Sequence, residues 1–466
     1  MTRSAIRVST LVAVALVTML VATRGVAQLQ PPAYAANASQ ADSPHRINEV
    51  SMIAVPTFDY PSRTLIDYVY AAYMRYPTAT DSPYSIKVAS GKMAGGGWTQ
   101  STLPLPYWAD NAGDPVLASN PTSFEYAPNR MYLAGRTWVG STPHTDQISV
   151  WTLHADYYLP QWTFQAGLGF DPGVFDTHDV DKPAIAVSTY AGTRGHAYLI
   201  YLRVGGGEAS TIQFSRNTFN DTWDSPHAVY TAPSTSDALQ GIRLDVDPGT
   251  GLLYLSFLNW TAGTVNVRVS SDEGTTWSPL YTTPAAGLLT NNNGFVSCSG
   301  CIFSPSFLMS TFNGGANSLA LVYHRRRPGG GAFNSEVVMR QFYLPAGCFS
   351  PEVRVSGLNA EQPSLHDQWQ GAVACANDGT CVVSYYDHLA TEGTIYRLYD
   401  RRVNNDGTPL RFENDVLLHS PASNAGSFVS NRMEYHDVFQ RNSVWYTVGV
   451  ISTPSENTSD VWVTSQ

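Results

Sequence analysis

Charge is what this chain has least of. Asp, Glu, Lys and Arg make up 14% of its 466 residues, against about 25% in an ordinary soluble domain. The formal net charge is −10, so no basic excess exists to neutralise phosphates, and nucleic acid is excluded as the main partner. Lysine is nearly missing: among 27 basic residues only Lys87, Lys92 and Lys182 are lysines. Arginine suits carboxylate or phosphate ligands, but a GC-rich genome produces the same bias. Past residue 47 no amphipathic run carries helix-capping signals, and the Ala/Glu/Lys/Leu/Arg enrichment of a coiled coil is lacking. No HExxH, complete EF-hand loop, P-loop or GxGxxG in a βαβ setting occurs. The expectation is therefore no metal and no cofactor. What the chain does have is 26 Tyr, 18 Phe, 11 Trp, 37 Gly and 29 Pro, with 43% hydrophobic residues. That composition excludes a disordered chain.

The first residues read as an address. Arg3 and Arg7 precede an uncharged apolar run from Val8 to Ala22, and small residues follow at Gly25-Val26-Ala27 and at Ala33-Tyr34-Ala35. This is the three-part layout of a signal peptide, and the run is short of the roughly 20 residues of a membrane span. Residues 1–27 are assigned to the signal, with cleavage after 27 or as late as 35. Residues 28–47 then form a linker or ring-closing segment, and 48–466 a single domain. The mature chain is expected to be secreted or periplasmic, with no membrane attachment after cleavage. Five cysteines agree with export. Cys375 and Cys381 bracket Ala-Asn-Asp-Gly-Thr, whose Asn-Asp-Gly is turn chemistry, so a disulfide between them is predicted. The pairing of Cys298, Cys301 and Cys348 stays open.

Self-similarity says more than composition. Short strand-like segments open at Ser51, Asp114, Asp181, Ile242, Ser304, Gln362 and Tyr435, at intervals of 58 to 73 residues. A second run dense in Val, Tyr and Leu follows each, and a third follows most, flanked by Gly or Asn. This reads as an all-β β-propeller of four-stranded antiparallel blades, seven in number, with six as the alternative count. The last unit is one strand short, and the segment around Arg46–Val50 is expected to supply the closing strand.

One turn is more specific. Ser270-Ser-Asp272-Glu-Gly274-Thr-Thr-Trp277 has the pattern S-x-D-x-G-x-T-W and falls between the third and fourth strands of its unit. Worn versions end at Trp223 and Trp98. The carboxylate can accept backbone N–H bonds, Gly can take positive φ and Trp can pack beneath. Ser270, Asp272, Gly274 and Trp277 are thus read as structural. With this box, Val383-Ser-Tyr-Tyr-Asp387 and Asp181-Lys-Pro, nearly all of the mature chain resembles the secreted sialidase-like, BNR-repeat propellers. The resemblance implies a site at one end of a central channel.

The chemistry of that family carries over only in part. Sialidases hold a carboxylate with three arginines and attack with a Tyr activated by Glu, since an anionic sugar repels a carboxylate nucleophile. His45-Arg46-Ile47-Asn48 keeps half of the family's first arginine motif, which makes Arg46 a substrate-binding candidate. Glu434-Tyr435-His436 resembles the nucleophile strand, which makes Tyr435 the catalytic candidate. Tyr323-His324-Arg325 resembles the end of a strand bearing a family arginine. The base is missing, because Ile302 to Leu308 holds no carboxylate, and Asp59 and Asp67 are unsupported as the acid. The residues read as catalytic are Tyr435, His324 and His436. Those read as substrate-binding are Arg325, Arg46, His366 and Trp369. The expected function is a carbohydrate-active propeller acting on an acidic glycan or polysaccharide, as a non-sialidase glycoside hydrolase or a polysaccharide lyase. The alternatives are a non-catalytic propeller that binds glycan or protein, and an exo-sialidase with an altered base.

Overall fold

The computed structural model describes residues 34–37, 47–59, 64–76, 84–92, 97–119, 130–140, 146–154, 162–168, 178–218, 222–289, 306–328, 335–357, 366–389, 395–404, 411–418, 423–424, 436–441, 444–453 and 458–466. They form seven antiparallel sheets around one axis, with no helix among the described residues. Each sheet is a meander of neighbouring strands. The first blade runs through Ile47–Asp59, Thr64–Arg75, Ser85–Lys92 and Thr99–Thr102, and the second through Asn111–Ser119, Arg130–Trp138, Gln147–His154 and Trp162–Leu168. The third comprises His178–Val187, Ala197–Gly205, Thr211–Asn217 and His227–Thr231, and the fourth Leu239–Val246, Leu253–Asn259, Thr264–Ser270 and Tyr281–Pro284. The fifth and sixth begin at Leu308–Asn313 and His366–Cys375, and their outer strands are broken into short pieces. The seventh comprises Asp437–Arg441, Val444–Thr453 and Thr458–Ser465, and Tyr34–Asn37 pairs along its outer edge.

The ring thus closes with an N-terminal strand from within residues 28–47, although not with the stretch around Arg46–Val50. Ile47–Val50 opens the innermost strand of the first blade. The reason is burial on both faces. Val50, Met52 and Ala54 pack toward the seventh blade, while Ile53 and Val55 pack toward the second. An outer strand such as Thr99–Thr102 is mostly exposed and needs no such run.

The first strands of successive blades touch all the way round, the seventh meeting the first. Between neighbouring blades lies an apolar layer. Ile200, Phe214, Leu255 and Phe257 fill one between the third and fourth blades. Leu258, Val267, Leu321 and Phe342 fill the next. Alternate residues of every strand feed opposite layers, which is why the central strands read as continuous apolar runs.

Two local expectations meet geometry here. Cys375 and Cys381 are register partners across the hairpin of the sixth blade and form a disulfide. Cys348 is free and exposed; Cys298 and Cys301 lie outside the described residues. At the Ser270–Trp277 turn, Asp272 accepts bonds from the Thr276 N–H at 2.8 Å and the Thr276 hydroxyl at 2.6 Å. The Gly274 N–H donates to Ser270 Oγ at 2.8 Å. Gly274 has φ +84°, and a Cβ there would sit 2.2 Å from the Phe214 ring, against which Trp277 packs edge-on.

Candidate functional site on the propeller axis

Because each blade is a meander, all seven inner strands start at one end of the channel. The second-to-third connections lie at that same end. The first-to-second and third-to-fourth turns, Ser270–Trp277 included, lie at the other.

Near their starts, five inner strands carry a bulge. The register slips between Asn48 and Val50, Gly113 and Val116, Asp181 and Ala184, Gln240 and Arg243, and Trp369 and Ala372. At each slip one residue takes positive φ: Glu49 (55°), Asp114 (51°), Lys182 (51°), Gly241 (57°) and Gln370 (48°). Such backbone costs a non-glycine residue about 1–2 kcal/mol, and a bulge re-aims the side chain it carries. Here the re-aimed side chains join blades. Glu49 accepts the Asp114 N–H at 2.9 Å, and Lys182 Nζ lies 2.9 Å from Asp114 and 3.8 Å from Glu49. Burial works to raise the Asp114 carboxyl, but Lys182 and Arg136 together hold it below its usual value. In the fourth blade the position must be glycine for a second reason, since a Cβ on Gly241 would stand 2.2 Å from the Leu308 backbone nitrogen.

Below this ring lies a cavity of about 180 Å³. Lys182, Arg243, Asp245, Met309, His436 and Asp437 are among its lining residues. Asp245 and Asp437 come from the fourth and seventh blades. Burial pushes both carboxyls up to about 6, because the charged form loses its hydration. The Ser310 hydroxyl donates to Asp245. Asp437 accepts the Met52 N–H at 3.0 Å and the Ser51 hydroxyl at 3.3 Å. The Arg243 guanidinium is close enough to favour the ionised form of both. It also contacts Met309 Sδ, with Nε at 3.0 Å. His436 is 2% exposed. Burial lowers its imidazole to about 4, so it is neutral at physiological pH, and its ring meets Tyr386 edge-on at 4.9 Å.

Of the residues singled out from sequence, His436 alone is placed on this cavity. His324 is fully buried one layer back and accepts the Gln370 N–H at Nδ1, 3.2 Å away. Arg325 is ion-paired to Glu336 at 3.0 Å and Glu352 at 2.7 Å. Those carboxylates also hold Arg327 and Arg340, so this is a bound guanidinium within a network. Trp369 is buried and stacks on Tyr386 at 5.8 Å, in the core between the sixth and seventh blades. Tyr435 and Arg46 lie outside the described residues, as do the side chains of His366 and Asp59. Asp67 is held by Arg441 at 2.6 Å and Tyr446 at 3.3 Å.

Sequence reading missed Arg243, Asp245, Asp114 and Lys182 as a set. A signal was present. Arg243 and Asp245 stand two apart in Ile242-Arg-Leu-Asp-Val, so they share one face of a strand. Charge at period two within a propeller's inner strand faces the axis. Asp247, by contrast, closes the next turn by accepting the Gly249 N–H at 2.7 Å. Among the described residues no group of three or more His, Cys, Asp or Glu is arranged to hold a metal ion. Nor is any helix there long and apolar enough to cross a membrane.

The arrangement can do acid–base chemistry. Two carboxyls that burial pushes up to about 6 line one cavity with a guanidinium, an ammonium and a neutral imidazole. Perturbed groups of this kind concentrate at functional sites.

No protein-family model and no curated protein sequence matches the chain. Solved structures do. A polysaccharide lyase described as an ulvan lyase aligns with a TM-score of 0.50 at 9% identity, over 90% of this chain and 93% of its own. An α-L-arabinofuranosidase from Fusarium graminearum aligns with a TM-score of 0.45 at 10% identity, over 90% and 93%. The Trypanosoma rangeli sialidase aligns with a TM-score of 0.44 at 10% identity, over 94% of this chain and 58% of that one. At such identities the likeness is one of fold.

Proposed function

We propose that the chain is an exported, sialidase-like propeller that acts on an acidic glycan at the end of the channel where the inner strands start, as a glycoside hydrolase. The observation that carries this reading is the pair Asp245 and Asp437 on one cavity, both raised to about 6. Glycoside hydrolysis needs one carboxyl protonated and one ionised, and two groups titrating near 6 supply both forms in mildly acid solution. Arg243 gives the cavity a guanidinium for a carboxylate or sulfate on the sugar; Lys182 is already paired with Asp114 and Glu49. Tyr435, next to His436 in sequence, is retained as a further candidate. A lyase would need a base to remove the C5 proton, and His436 at about 4 is a weak one. Fold alone does not assign chemistry, so the likeness to glycan-active propellers supports the reading without deciding it.

The test is to incubate the purified mature chain with uronate-containing, sulfated and sialylated glycans. Reducing ends, the ultraviolet absorbance of unsaturated uronates and free sialic acid are recorded in parallel. The expected product is reducing ends without absorbance, with an optimum near pH 6 and a loss of about a hundredfold or more in Asp245→Asn or Asp437→Asn. Absorbance would show lyase chemistry instead. Retention on glycan without product would show a binding propeller. Neither product nor retention would refute the reading.

A further inference from the structure

The cavity is walled by the inner strands of several blades, so a glycan chain that enters it crosses the face where those strands start. The connection from the first blade's outer strand to the second blade's inner strand crosses that face. It carries Pro106-Tyr107-Trp108-Ala109 in a turn closed by the Ala109 N–H to the Pro106 carbonyl at 3.0 Å. Tyr107 at its tip is 99% exposed. This is no slack loop. The Asp110 N–H donates to the Trp138 carbonyl at 3.2 Å, and Asp110 Oδ1 accepts the Gly140 N–H at 2.8 Å. Asn111 Oδ1 then accepts the Tyr84 N–H at 3.2 Å. Beside the turn the rings continue, with Tyr76 on Tyr84 at 5.3 Å and Tyr84 on Trp138 at 5.7 Å, none of the three fully buried. The Arg136 guanidinium lies over Trp138, its Cζ 5.6 Å from the ring centre. Arg136 also reaches toward Asp181, 3.9 Å away, next to Lys182 on the cavity wall.

We infer that Tyr107 and the Trp138–Tyr84 rings form a shelf that holds the ring faces of a glycan chain running outward from the axial cavity. Three features fit a sugar. Tyr and Trp present an apolar face with a polar tip, which matches a sugar's C–H face and hydroxyl rim. Arg136 is already bound to Asp146 at 2.8 Å, so the shelf offers ring faces rather than unspent charge. The backbone bonds around the turn hold its main chain in place and present the Tyr107 ring to solvent on that face. The inference rests on the glycan reading above and extends it: the substrate is a chain of several sugars, not a single terminal residue.

The test uses Tyr107→Ala in the mature full chain, with Leu280→Ala as control. Leu280 is 37% exposed and lies beyond the Ser270–Trp277 turn. Mobility is measured in native gels containing ulvan, hyaluronate or polygalacturonate, and turnover of the same chains is compared with that of their disaccharides. The expected result for Tyr107→Ala is an about two- to twelvefold weaker retention, the size of one lost aromatic contact of about 0.5–1.5 kcal/mol. Disaccharide turnover and melting temperature should stay at the wild-type value, and Leu280→Ala should match wild type throughout. If wild type is retained and Tyr107→Ala is retained equally, the shelf is wrong while the axial site stands. If wild type neither binds nor turns over any of these chains, both readings fall.

Discussion

Asp400 offers the sharpest test of the physical reasoning, because its role is independent of any substrate. It lies in the third strand of the sixth blade, fully buried. Its carboxylate accepts the Thr447 hydroxyl at 2.8 Å and the Gln466 amide at 3.2 Å, which tie the sixth blade to the seventh. Burial pushes the carboxyl up from 3.8 to about 7. Between those two values the native state holds a proton that the unfolded chain has released. Stability therefore falls as pH rises through that window and is level above it. From pH 5 to pH 8 the loss from this one group is about 2.5 kcal/mol. Asp400→Asn keeps the shape and cannot ionise. Its altered hydrogen bonding costs the same at every pH. Other titrating groups, such as Asp245, Asp437 and His436, contribute equally to both proteins and cancel in the difference. For a chain of this length one kcal/mol moves the melting temperature by about 1 °C. The melting temperature of Asp400→Asn relative to wild type should rise by about 2.5 °C between pH 5 and pH 8, measured by scanning calorimetry at one scan rate. A difference constant within about 1 °C would refute the assignment of a buried, ionising carboxylate here.

Further perturbations probe other parts of the ring. Lys182→Met strands the buried carboxylates of Glu49 and Asp114 and should cost about 3–5 kcal/mol in chemical denaturation; adding Asp114→Asn should recover part of it. Gly241→Ala meets both a positive φ and the Leu308 backbone, and is expected to lower the melting temperature by about 1–3 °C or more. Removing the disulfide through Cys375→Ser and Cys381→Ser opens a loop with a separation of only six residues, so the loss should be near 2 kcal/mol by loop entropy. A loss of double that would mean that the bridge holds more than its own hairpin.

The repeat, the strand order and the Cys375–Cys381 hairpin were legible in the chain because each is set locally. A turn residue, an alternating or continuous apolar run and a short Cys spacing act within a few residues of one another. The Ser270–Trp277 turn was legible for the same reason, as Ser270, Asp272 and Thr276 bond to each other. The closing strand lies within residues 28–47 but was expected nearer Val50, since Ile47–Val50 and Tyr34–Asn37 are both short and strand-compatible. Only the burial of Val50 and Ile53 against two different blades tells inner strand from outer edge.

The site lies on the far side of that divide. His436, named from the string Tyr435-His436-Asp437, lines the axial cavity, whereas Arg325, from an equally suggestive string, is ion-paired and Trp369 stacks in the core. By itself the sequence determined an all-β propeller poor in charge, rich in aromatics and built from a repeated meander. The tertiary structure alone decided that Asp245 and Asp437, about 190 residues apart, share one cavity, and that Glu49, Asp114 and Lys182 join three blades. Local periodicity fixes which face of a strand a side chain takes. Only closure of the ring brings the faces of distant strands within reach of one another and strips the water from the carboxyls between them.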